Sequence, residues 1–373
     1  MRSGFWPVVA LAGVLVLAGQ ITETTERAGP SPLAHVVRIG AMSVDRAAHQ
    51  ATLLRDGRVL VSGGCAGNHC DAVLASAELY EPADRIFRSV APMARPRASH
   101  AAARLPDGRV LVAGGWTGDG PTARAEVYDP AADRWTAAPN LTEPRVSPIA
   151  VPLRDGRVLF MGGGEGRLPD QATAEVFDPA TFAFRAVGPM HTNHYLATRL
   201  ADGRVLLTGG QGPDGAILST AEIFDPASDT FQVTGDMLVP RVKHAAALLR
   251  DGRVLIIGGS DRGSYRARFA STEIYDPRTG RFSVGPEMRW GRHKIRDAVA
   301  ALPSGVIVVA GGAVHPEVFD PAVQAFATTE GELSGPQMFA TATLLSTGDV
   351  LVLGGYDDQT QPSAAAWLIV PRR

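Results

Sequence analysis

Gly-Gly doublets begin at residues 63, 114, 162, 209, 258, 311 and 354 of this 373-residue chain, at successive steps of 51, 48, 47, 49, 53 and 43 residues. A repeat of this length, built from short apolar runs, is the signature of a propeller array whose units bury their faces only against one another. The chain is therefore read as one repeat domain rather than two independent domains. Its 41 glycines and 27 prolines suit many short strands joined by tight turns.

The unit has a fixed grammar. A strand such as 100–105 leads into an Asp-Gly pair, expected to form a two-residue type I′ hairpin turn, at Asp56-Gly57, Asp107-Gly108, Asp155-Gly156, Asp202-Gly203 and Asp251-Gly252. The next strand is almost wholly apolar, as in Val254-Leu255-Ile256-Ile257, which predicts burial on both faces. The doublet follows, then a variable loop, then Glu-x-aromatic-acid-Pro, as at Glu126 to Pro130. A second aromatic returns seven positions after the first, pairing Tyr80 with Phe87 and Tyr128 with Trp135, and predicts packing between blades. The seventh unit ends after one strand, 365–370, while a spare strand, 35–40, precedes the first. Pairing the two would close a ring of seven four-stranded sheets and remove the exposed edges of a linear array.

Over residues 35–370 the doublets, the aromatic spacing and the Glu-x-aromatic-Asp-Pro string resemble the Kelch family of β-propellers. The resemblance implies an all-β fold of seven four-stranded antiparallel blades around a central channel, spanning residues 34–373. It does not imply one function, because Kelch propellers include protein-binding adaptors, sugar-acting enzymes and copper-radical oxidases such as galactose oxidase and glyoxal oxidase.

The first 19 residues read as a signal peptide. Arg2 is a thin basic region, Phe5 to Leu17 form an apolar run too short to span a bilayer, and Ala18-Gly19 suit cleavage after Ala18. Gln20 stands where a lipoprotein would need cysteine. Residues 20–33 read as a flexible leader. Export to a periplasm or the medium is expected, with an uncleaved signal anchor as the alternative. Cys65 and Cys70 share one loop, and in an oxidising compartment a loop-stapling disulfide is the expected reading; a partial metal site with His69 and Asp71, or free thiols, are the alternatives. A net charge of −2 gives no reason to expect nucleic acid or an anionic membrane as partner.

Function on a propeller belongs to the variable connections, and the repeated positions belong to packing. The longest such loops are 65–76 and 260–271, the latter with Arg262, Tyr265, Arg266 and Arg268. The segments entering each unit carry a partly repeated Arg-x-x-His: Arg46 with His49, Arg97 with His100, Arg241 with His244. Counting back from each turn adds Arg145 and Lys294 to the cation series, and Pro148, Tyr195, Asp297 and Ala340 to the histidine series. Cations in five of seven units would focus positive potential at the channel mouth and attract an acidic ligand. A repeated Arg beside a repeated Glu is equally what a structural ion pair in each blade looks like. Positions that break the pattern are the better candidates: His191, His194 and Tyr195 in the fourth unit, and Trp290, Arg292, His293 and Asp297 in the sixth.

These readings converge on an exported, non-catalytic propeller, without cofactor and expected to be a monomer, that binds a protein, peptide or glycan. A sugar epimerase or mutarotase is the alternative, with Glu165, Asp297 and the histidines as loose acid–base candidates. A galactose-oxidase-like copper enzyme fits less well: both cysteines lie in one short loop, and Tyr80, Tyr128 and Tyr275 sit at packing positions rather than free to ligate.

Overall fold

The second strand of each unit anchors the architecture. Val59–Ser62, Val110–Ala113, Val158–Met161, Val254–Ile257 and Val350–Leu353 are buried along their whole length. They are rich in β-branched and aliphatic residues, which suit a pleated surface covered on both sides. The computed structural model describes residues 33–163, 172–212, 214–261 and 268–372; the signal-peptide and leader readings, Glu165, Arg262, Tyr265 and Arg266 lie outside them.

Seven four-stranded antiparallel sheets form the blades, six of them meanders in chain order. Blade one is Gln50–Leu53, Val59–Ser62, Ala77–Glu81 and Ile86–Val90, counted from the channel outward. The seven innermost strands lie each against the next around a closed circle. In blade seven the outermost strand is Ala34–Ala41, paired antiparallel with Ala365–Pro371 so that His35 faces Val370 and Gly40 faces Ala366. The first and last strands of the ring thus share one sheet. The aromatic residues seven apart face each other across neighbouring strands, at 5.1 Å for Tyr80–Phe87 and 5.0 Å for Tyr128–Trp135. Their clusters extend into the adjacent blade: Tyr80 packs with Leu351 and Leu353 of blade seven, and Tyr128 with Leu60 and Leu79 of blade one.

The Asp-Gly connections differ from the expected two-residue turn. Only their glycines have positive φ, 89° at Gly57 and 98° at Gly108. Gly57 N–H donates to Leu54 O at 3.3 Å, and Leu54 N–H to Arg58 O at 2.8 Å. The loop is therefore one residue longer, a turn over Leu54–Gly57 that ends on a left-handed glycine. Asp56 accepts the Arg58 N–H at 3.0 Å, and Asp107, Asp155, Asp202 and Asp251 repeat that bond. The aspartate closes the turn through its side chain rather than by adopting a positive φ.

The doublets admit a neighbouring backbone. Gly64 N–H donates to Arg97 O at 2.9 Å, and a Cβ on Gly63 would sit 2.4 Å from that same oxygen. Gly355 and Arg46 repeat the bond between blades seven and one at 3.0 Å. Gly63→Ala should therefore destabilise the protein by about 2–4 kcal/mol, combining overpacking with left-handed strain. Gly348→Ala, at φ 91° but with nothing within 4 Å of a new Cβ, should cost only about 1 kcal/mol. Urea unfolding of both variants measures the difference.

Candidate functional site

The arginine series is internal to the blades. Arg46 donates from Nη1 to Gly63 O at 2.8 Å and from Nη2 to Glu78 Oε1 at 2.6 Å. The other Glu78 oxygen accepts the Ser43 backbone N–H at 2.8 Å. The same constellation joins Arg97 to Glu126, Arg145 to Glu175, Arg241 to Glu273 and Arg292 to Glu317. All five arginines are fully buried. The expectation that they ring the channel mouth is corrected: their charge is consumed inside the blade. In blade four His194 takes the arginine's place, bonded through Nδ1 to Gly209 O at 3.0 Å and through Nε2 to Glu222 Oε1 at 2.8 Å. Exposed His191 binds the second oxygen of Glu222 at 2.9 Å. In blade seven the acid and base are replaced together, by Trp367 opposite Val352 and by Gln337.

The histidine series is also structural. Nε2 of His100 bonds Ser62 Oγ at 3.1 Å, that of His244 bonds Thr208 Oγ1 at 2.9 Å, and that of His49 bonds Thr341 Oγ1 at 3.0 Å, each a hydroxyl of the preceding blade. Burial holds these imidazoles neutral, His49 down to about 3 and His100 and His244 well below the usual histidine value.

Kelch motif sequences match the chain over residues 97–142 and 241–289, stretches that start on the buried arginines of blades two and five. The chain is a seven-bladed β-propeller that carries the Kelch motif at these two places. Among solved structures it is similar to a novel fungal alcohol oxidase of the AA5 family, in complex with copper, at 17% identity and a TM-score of 0.71 over 92% of this chain and 77% of that one. That likeness is one of fold. No curated protein matches the sequence.

What this propeller presents at its mouth begins two residues after each arginine, and after Gln337 in blade seven. Ala48, Ser99, Ser147, Lys243, Lys294 and Phe339 all have left-handed φ, between 49° and 59°. Their backbones join in a rim: Ser147 N–H donates to Ser99 O, Ser99 to Ala48, Ala48 to Phe339, Phe339 to Lys294 and Lys294 to Lys243, at 2.8–3.2 Å. The rim opens at blade four, whose first strand starts early at His194. There Arg296 reaches across from blade six, donating from Nη1 to Ser147 O at 3.1 Å, with its guanidinium 5.8 Å over the Tyr195 ring. Asp297 lies 3.4 Å from both Arg296 Nε and Gln50 Nε2. Gln50, Arg296, Asp297 and Pro148 border a channel cavity of about 300 Å³.

A cationic and aromatic cluster lies over blades five to seven. Lys294 Nζ donates to Tyr356 Oη at 2.8 Å and stands 5.6 Å over the Phe339 ring. Lys243 Nζ approaches the same ring at 6.0 Å. The Cys65–Cys70 disulfide backs this wall, Cys65 packing in one cluster with Ala47, Ala98, Met338 and Tyr356. Arg268, from the end of the 260–271 loop, pairs with Asp358 of blade seven.

Among the candidates, the structure gathers Tyr195 and Asp297 at the channel and His293 and Lys294 at the cluster. Trp290 stacks on His315 at 4.9 Å, outside both. Lys243, Arg296, Phe339, Tyr356 and Asp358 escaped the sequence reading, whereas Arg268 was named in its loop. Its signal for Arg296 was spacing: Arg292 lies 19 residues before Gly311, whereas Arg46 lies 17 before Gly63. Two additional residues in blade six make Arg292 the true counterpart of Arg46, and Lys294 a member of the rim.

Removing one partner of a buried pair leaves an uncompensated charge. Arg97→Met should accordingly cost about 3–5 kcal/mol by urea unfolding, and Arg97→Met with Glu126→Leu should recover most of it, as blade seven does naturally. For the neutral histidines, the unfolded chain binds protons near pH 6.5 that the folded chain refuses. Stability should be full above about pH 6.5 and fall with acidification at up to about 1.4 kcal/mol per pH unit for each such histidine. Urea midpoints between pH 7 and 4.5 check the slope, which His100→Gln should reduce by one proton's worth.

Proposed function

We propose that this Kelch propeller is an exported, non-catalytic binding protein whose loop-rich face takes an anionic protein, peptide or glycan. The observation that carries the reading is the convergence of Lys243 and Lys294, from successive blades, on the Phe339 ring beside Tyr356. Two ammonium groups on one low-dielectric aromatic wall create a local positive potential in a chain of net charge −2. The rings supply apolar area and a phenol oxygen, a combination common at recognition surfaces. Export is supported by the N-terminal apolar run and by the Cys65–Cys70 disulfide, which persists in oxidising compartments.

Copper chemistry, suggested by the similar alcohol oxidase, finds no gathered donor set among the described residues. Both cysteines are joined to each other. His49, His100 and His244 are tied to hydroxyls between blades, and Tyr128 Oη donates to Asp133 at 2.9 Å. Among the described residues no group of three His, Cys, Asp or Glu side chains converges on one point. For an epimerase, the described acid at the channel, Asp297, is held by Arg296 and Gln50. One carboxylate oxygen of Asp297 thus already meets both side chains.

Lys243→Glu with Lys294→Glu should weaken binding to polyglutamate and to a sulfated dextran by about tenfold or more, with neutral dextran as the control. Interferometry reads the affinity and calorimetry the melting temperature, which should hold within a few degrees. Unchanged affinity in the folded double variant would sink the reading. Lys294→Gln serves if the reversal unfolds the protein.

A further inference from the structure

His293 is the one buried histidine among the described residues with neither ring nitrogen hydrogen-bonded. His49, His100 and His244 each bond through Nε2, and His194 through both nitrogens. A neutral imidazole always carries one N–H, so an idle nitrogen in those rings can be a lone pair, while His293 must bury an unanswered donor. At 1% exposure, bulk water does not satisfy it. Each staple arginine also has an idle Nε, but that feature repeats with the blade, whereas His293 occurs once.

Its place is equally singular. The residue after the entry arginine is Ala47, Ala98, Val146 and Val242 in blades one, two, three and five, and Met338 follows Gln337 in blade seven. Among the blades entered by arginine or Gln337, blade six alone puts a polar side chain there; blade four, entered by His194, has Tyr195. It also has the shortest connection after its doublet, with Glu317 six residues beyond Gly311. Neighbours roof the gap instead. Arg268, whose carbonyl lies where a Cβ on Gly291 would go, donates to Gly312 O at 3.5 Å and pairs with Asp358 of blade seven, 90 residues away. The charges facing His293 are Lys294 on its own segment, Lys243 and Arg268 from blade five, and Asp358 from blade seven. Three cationic side chains and one carboxylate thus bear on His293.

We propose that His293, Arg268, Lys243 and Lys294 form a slot for an oxyanion, a carboxylate or a phosphate or sulfate group of the ligand, in which Asp358 stands as a resident substitute. The inference rests on the loop face being the ligand-binding face. The incoming oxyanion displaces Asp358 from Arg268 and accepts the His293 N–H, the one contact Asp358 leaves unmade. Burial first, and then Lys294, Arg268 and Lys243, hold His293 down to about 3, while Asp358 opposes them. A bound anion adds to the Asp358 side of that balance, so His293 titrates higher when the slot is filled.

The test uses the whole protein, ¹⁵N-labelled at histidine, with acetate and inorganic phosphate as separate probes and chloride as the ionic-strength control. His293→Met, which installs the side chain blade seven uses, assigns the resonance and supplies a folded blank. Saturable shifts of the His293 nitrogens with acetate or phosphate, a rise of at least one pH unit in its titration, and about tenfold tighter binding in Asp358→Asn are expected; which probe binds tighter distinguishes a carboxylate from a phosphate or sulfate source. Silence of His293 toward both probes in wild type and Asp358→Asn would overturn the slot, even if the propeller still captures polyglutamate. A His293 response in a protein that captures no polyglutamate supports the slot and removes the macromolecular reading instead.

Discussion

Five of the seven blades are each locked to a neighbour by one arginine working at both ends. Its carbonyl accepts the N–H of the preceding blade's second doublet glycine, and its guanidinium grips the carboxylate of its own third strand. Neither contact works without the other. The carbonyl can approach only where there is no Cβ, and the charge can be buried only because carboxylate and carbonyls surround it. A buried pair is costly to break but can be replaced whole by uncharged groups, and blade seven does so with Trp367 and Gln337. His194 shows a second, an imidazole standing in for a guanidinium on Glu222.

This lock sorts the polar residues near the mouth into two groups. Arg46, Arg97, Arg145, Arg241, Arg292 and the three repeated histidines hold blades together. Lys243, Lys294, Arg296, Phe339 and Tyr356 are left to shape the surface, because they occur where blades depart from the pattern. The left-handed rim matters to this. A non-glycine residue at positive φ is strained, and the strain is held by the backbone bonds joining each rim residue to the next. Where blade four breaks the rim, Arg296 crosses to Ser147 and fills the gap from the far side.

Much of the fold was legible from the chain alone. Doublet spacing counts seven blades, and the orphan strands 34–41 and 365–371 find each other because each lacks a partner. The turns were read at the right places but in the wrong form, since Asp-Gly suits more than one turn and only the backbone bonds distinguish them. The site was less legible. Counting back from the turn hid the two additional residues of blade six, so Lys294 stood in for Arg292. The histidines looked like a rim because their partners, Ser62 and Thr208, lie in the preceding blade just before its doublet.

By itself the sequence determined the repeat, the apolar second strands, the ring closure and the acid–base pairs, because these are contacts at fixed spacing within a unit or with its neighbour in the chain. Only the tertiary structure decided which charges stand at the channel mouth. The mouth is assembled from single residues of successive blades and from loops as far apart as Arg268 and Asp358, so a side chain's neighbours there are set by closure of the ring rather than by any local pattern. His293 illustrates the difference: its residue type is plain in the sequence, but its unanswered imidazole is a property of the three blades that surround it.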